Sequence, residues 1–220
     1  MTLWDAPDCL ARCKLLSGRD KLTSDASMTD ANWYDLLTAG EAYWKPKLAG
    51  QYPYHMFGAP TQLTSSDGGV TYIFPNESAP LAVEVYAALV RPRLVAGQFG
   101  DPNADYVWEG SQIRMTTNTA RAFASGPYAR WVAAPTTINA STDPTLKPTF
   151  ARQLLVCRAV IHWATRGGLR NPQTFRDLEE ETWRETQEAL KQSNLFYGDA
   201  ANRQTQRVSG LGYLLARQFR

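Results

Sequence analysis

The sequence predicts an α+β chain: a four-helix bundle with a small antiparallel β module inserted in its middle and an extended C-terminal tail. Three observations predict it. From Phe150 to Gln192 apolar residues recur at helical steps, break at a glycine pair and resume, as expected of two helices joined by a tight turn. Between about residues 61 and 134 the period becomes two, with glycine turns between short apolar runs. From Asn194 onward neither period continues, and the chain combines arginines with an apolar cluster at 211–219.

The first helix is expected at about 7–16, capped by Asp5 or Ala6, facing inward with Leu10, Cys13 and Leu15 or Leu16, and closed by Gly18. Thr29 and Asp30 are N-cap candidates for the next, at about 30–48, which carries Trp33, Leu36, Leu37, Tyr43, Trp44 and Leu48 before Pro46 and Gly50 kink or end it. Its aromatics at helical spacing read as core and subunit contact rather than a ligand cage.

Residues 62–64 and 70–74 flank Ser65-Ser66-Asp67-Gly68-Gly69 and read as a hairpin. Leu81, Val83 and Val85 alternate onto one face of the following strand, which makes Glu84 a solvent-facing position, and Glu109 reads the same way. In DYVWEGSQIRM, Gly110 holds the first central position of a type II′ turn. That register sets Trp108 opposite Ile113, Tyr106 opposite Met115 and Val107 opposite Arg114. A last strand is expected at Tyr128–Ala133.

The third helix, about 149–166, has Phe150, Leu154, Cys157, Ile161 and Ala164 in its stripe, widened by Leu155, Val160 and Trp163, with Pro148 in the first turn. Asn171 and Pro172 open the fourth, about 172–192. Phe175, Leu178, Thr182 and Ala189 mark its apolar side, while Asp177, Glu181, Glu185 and Glu188 give a net acidic face. Residues 1–195 are thus read as one domain and 196–220 as the tail. The tail combines Leu211, Tyr213, Leu214, Leu215 and Phe219 with arginines against the single acid Asp199. It is too apolar for a solvated linker and too short to fold alone, so it calls for a partner.

Composition excludes several classes. Over 220 residues, 44% hydrophobic and 20% charged describe a globular chain, and a net charge of +2 gives no general case for a polyanion binder. The acidic N-terminal stretch does not suit a signal peptide, and no apolar run reaches membrane-span length, so a cytosol-like compartment is expected. Cys9, Cys13 and Cys157 read as reduced, buried residues, and no ligand spacing joins them to His55 or His162. There is no phosphate loop, nucleophile elbow or zinc motif, so neither catalysis nor a cofactor nor a metal is expected.

The order of SSDGGVTYIF, VEVY, DYVWEGSQIRM, GPYARWVAAP, DPTLKP and RAVIHWATRGGLRNP resembles the head-tail adaptor (connector) proteins of tailed bacteriophages, over about Asp5 to Leu190. The resemblance implies a virion protein, made in the host cytoplasm, that forms a ring of about a dozen copies beneath the portal protein. Double-stranded DNA would pass through the lumen without sequence-specific binding, and no membrane is involved. It further implies a portal-docking tail of Leu211, Tyr213, Leu214, Leu215, Arg217, Phe219 and Arg220. The acidic face of Asp177, Glu181, Glu185 and Glu188 would line the channel, and the loop with Arg91, Arg93 and Phe99 would meet a neighbouring copy or the next neck ring. Two other readings stand beside it: a stopper or tube-proximal neck protein, and a monomeric module whose Tyr52, Tyr54, Phe57, Trp108 and Trp131 line a ligand groove.

Overall fold

A computed structural model describes residues 4–18, 28–65, 67–75, 79–87, 89, 93–98, 100–101, 103–116, 126–166 and 171–192. Helix α1, Ala6–Ser17, begins at Asp5, whose carboxylate accepts from the Asp8 amide at 2.8 Å, and ends at Gly18 with φ of 73°. Helix α2, Asp30–Gln51, is capped by the Thr29 hydroxyl and runs through Pro46, and the short α3, Pro53–Met56, follows at once. After the strands, a 3-10 turn at Thr149–Arg152 leads into α4, Gln153–Thr165, and α5 spans residues 172–192. Phe150 lies in that 3-10 turn and is exposed rather than part of the buried stripe, whereas Leu154, Leu155, Cys157, Val160, Ile161, Trp163 and Ala164 are all buried.

The helices enclose one core, with α4 in its middle. Gly40 of α2 lets the two backbones approach so closely that an added Cβ would stand 3.1 Å from the Leu155 carbonyl oxygen. Trp33 meets Trp163 at 6.0 Å between ring centroids, and Trp44 meets Trp183 of α5 at 4.9 Å. Burial lifts the Cys9 and Cys157 thiols to about 12 and the Cys13 thiol well above its ordinary value, as expected for cysteines that act as small apolar residues.

The expectation of a four-helix bundle with a small antiparallel β module does not hold. The strands form two sheets, one of three strands in the order β1-β8-β4 and one of five in the order β2-β3-β7-β6-β5. They are β1 Thr61–Gln62, β2 Thr64–Ser65, β3 Thr71–Ile73, β4 Ala82–Tyr86, β5 Ala96–Gly97, β6 Tyr106–Glu109, β7 Gln112–Met115 and β8 Tyr128–Val132. The pairing of β5 with β6 is parallel, so the larger sheet is mixed. Two local features account for the difference. At Leu63 the chain leaves one sheet for the other, splitting what reads as a single strand, and its amide donates to the Pro127 carbonyl at 2.9 Å. The segment read as loop also contributes β5, next to β6, through the Asp105 carboxylate that accepts from the Val95 amide at 2.8 Å.

The β region also has a core of its own: Leu63, Tyr72, Phe74, Val85, Leu94, Tyr106, Ile113, Met115 and Ala129. The small sheet is the wall between this core and the helical one. Val83, Val85, Ala129 and Trp131 face the β core, while their strand neighbours Ala82 and Val132 join the helical core. Alternation therefore buries both faces. Where the local rules acted alone the register came out as expected: Tyr106↔Met115, Val107↔Arg114 and Trp108↔Ile113 flank Gly110, whose φ is 60°.

Candidate functional site

The acidic helix is amphipathic in an unusual way. Its inner stripe is Phe175, Glu179, Thr182, Thr186 and Leu190, so Ala189 is exposed and a carboxylate and two hydroxyl side chains lie inside. Asp177, Glu181, Glu185 and Glu188 are all exposed and, at about 100° per residue, fall within an arc of about 80° on the side away from that stripe. Among the described residues none of these four makes a salt bridge; Asp177 accepts a hydrogen bond from Gln173 Nε2 at 2.7 Å.

A second charged surface adjoins the inner stripe, where α2, α4 and α5 meet. Glu179 accepts from the Trp44 indole N–H at 3.0 Å and from Arg158 at 3.4 Å. The Arg158 guanidinium stacks 3.5 Å from the Tyr43 ring centroid, and Lys47 approaches the same ring to 3.9 Å. Burial raises the Glu179 carboxyl above its ordinary value, against the pull of Arg158, Trp44, Lys47 and Arg176. The sequence signal for this patch is the i,i+4 pair Tyr43 and Lys47; its cross-helix partners have none.

A third cluster overturns the solvent-facing reading of Glu84. Both faces of β4 are covered, and Glu84 is buried between Arg130, at 2.6 Å, and Arg93, at 2.9 Å, while the Tyr86 hydroxyl donates to it at 2.6 Å. Burial, reinforced by that hydrogen bond, pushes the Tyr86 phenol up to about 12. Arg93 also donates to the Tyr54 hydroxyl at 3.3 Å, and Arg130 lies 4.8 Å from the Phe57 ring. Glu109, by contrast, is exposed on its strand.

Of the expected contact loop, Arg93 is thus brought into an ion-paired cluster, while Arg91 and Phe99 lie outside the described residues. The docking residues Leu211, Tyr213, Leu214, Leu215, Arg217, Phe219 and Arg220 also lie outside them. The five aromatics of the groove reading are distributed: Tyr52 is in the helical core, Trp131 packs on Phe74 and the β core, and Trp108 is exposed and donates to the Gly110 carbonyl beside it. Tyr54 and Phe57 do meet, edge to face at 6.0 Å.

Among the described residues no group of histidines, cysteines and carboxylates is placed to hold a metal ion, and no helix is long and apolar enough to cross a membrane. Searches against protein-family models and curated proteins found no match to the chain.

Proposed function

We propose that this chain is a structural protein of a tailed-bacteriophage neck, a head-tail adaptor that forms a ring beneath the portal protein and leaves a channel for double-stranded DNA. The observation that supports it best is the exposed acidic stripe of Asp177, Glu181, Glu185 and Glu188 on α5. These carboxylates contribute nothing to the helical core and have no cation from the described residues paired with them. A lumen lined with them repels phosphates and lets DNA slide, whereas cations there would hold it in a salt-dependent way. In this reading the tail with Tyr213, Leu214, Leu215 and Phe219 docks on the portal, and the surface around Arg93 meets a neighbouring copy or a stopper further down the neck. No catalysis, cofactor or metal is assigned to it.

Particle mass tests the proposal, by mass photometry of the chain alone and mixed with the portal protein of the same genome. Ring formation, or capture by the portal that is lost on deleting residues 208–220, is the expected result. A chain that stays monomeric and ignores the portal would sink the adaptor reading.

A further inference from the structure

The exposed surface of α5 is divided into sectors, and what lies beside each differs in sign. With the buried stripe placed at the back, the carboxylates occupy the front and one flank, where Glu185 lies nearest to Leu178 and Ala189. The opposite flank carries Arg176, Lys191 and, toward the front, Arg184, with Glu180 as its exposed carboxylate, and it continues onto the patch of Tyr43, Lys47 and Arg158. There three cations, Lys47, Arg158 and Arg176, act on one carboxylate, Glu179. Arg158 is held chiefly by stacking: its Nε finds no hydrogen-bond partner and its contact with Glu179 is long, at 3.4 Å. Tyr43 is 39% exposed although it is wedged between two cations. An aromatic ring held rigid by cations, part-exposed and carrying excess positive charge, is the composition of an interface anchor rather than of a solvated face.

We infer that this basic and aromatic flank is the seat for a second copy of the same chain, which presents the Glu181 and Glu185 edge of its own α5 to Tyr43, Lys47 and Arg176. The inference rests on the ring reading and gives it a joint. The two flanks are different surfaces, so the contact is heterologous and repeats from copy to copy until the rotation closes a ring. Charge complementarity names the occupant: one flank of the helix is acidic, and the other, with Arg176, Arg184 and Lys191 against the single acid Glu180, is net basic. This joint takes Glu181 and Glu185 out of the lumen lining and leaves the front of the helix, with Asp177, Glu188 and Arg184, facing the lumen.

Charge reversal on exposed positions provides the test. Lys47→Glu with Arg176→Glu, and separately Glu181→Lys with Glu185→Lys, are each expected to shift the full-length protein from the ring mass to the monomer mass, weakening assembly about tenfold or more. Combining all four restores the ring, and raising the salt concentration weakens the wild-type ring. Circular dichroism confirms that each variant is folded. If the wild-type chain forms rings and either reversed pair forms them equally well, the seat is wrong while the ring reading stands. If the wild-type chain is monomeric both alone and on the portal, the joint and the ring reading fall together.

Discussion

The helical and β halves of the molecule both bury a glutamate, and they do so on different terms. In the helical half Glu41 is fully buried beside Lys45, itself 2% exposed, at 3.4 Å on the same helix. The Lys45 ammonium also donates to the Ala134 carbonyl at 2.9 Å and to Thr145, while Glu41 accepts from the Thr145 amide and hydroxyl. Two turns of α2 thus tie down the segment that returns from the sheets to α4. In the β half Glu84 is as deeply placed, but Arg93 is mostly exposed and Arg130 partly so. The first pair has exchanged water for protein on both sides; the second keeps one side in water. Burial of the carboxylate alone therefore says little about what its loss will cost.

That difference predicts the largest effect. Glu41→Ala removes the carboxylate beside the buried Lys45 ammonium in the helical core and is expected to cost about 3–5 kcal/mol in urea unfolding. Arg93→Ala leaves Glu84 paired with Arg130, and an exposed partner contributes about 1 kcal/mol at most. Equal losses from the two would dissolve the comparison.

An intermediate effect is expected where the halves of the β region join. Gly126 has φ of 82°, and a Cβ there would stand 2.6 Å from the Leu63 carbonyl oxygen, at the crossing between sheets. Gly126→Ala should cost about 1–3 kcal/mol through backbone strain. Amide exchange should show the loss in β2, β3 and β8 first; uniform loosening of α2 and α4 would mean that the two cores do not open separately.

The smallest effect is a slope against pH. The Glu179 carboxyl is raised by burial, so folding takes up a proton between the unfolded carboxylate value and the raised folded one. Its contribution to stability is present below that window and is lost as pH rises through it. Glu179→Gln, which keeps an oxygen for the Trp44 N–H, should flatten the slope in melts taken across the window. An unchanged slope would assign it to other groups.

Local chemistry made several elements legible. Asp5 and Gly18 mark the ends of α1, Thr29 starts α2, and Gly110 fixes the β6–β7 register, because each acts within a few residues of itself. The exposed acids of α5 were legible for the same reason: one face of a helix is a matter of spacing. Its inner face was less so, since Glu179 is buried only because Trp44 and Arg158 arrive from other helices.

By itself, then, the sequence determined helix limits, turn geometry, strand register within the tight hairpin and the charge pattern along α5, all consequences of contacts between near neighbours. Only the tertiary structure decided that the strands divide into two sheets, that the smaller one is covered on both faces, and that Glu84, Glu41 and Glu179 are buried with partners far away in the chain. The physical reason is that alternation states which residues share a face. It does not state what covers that face, which depends on chain segments brought together by folding.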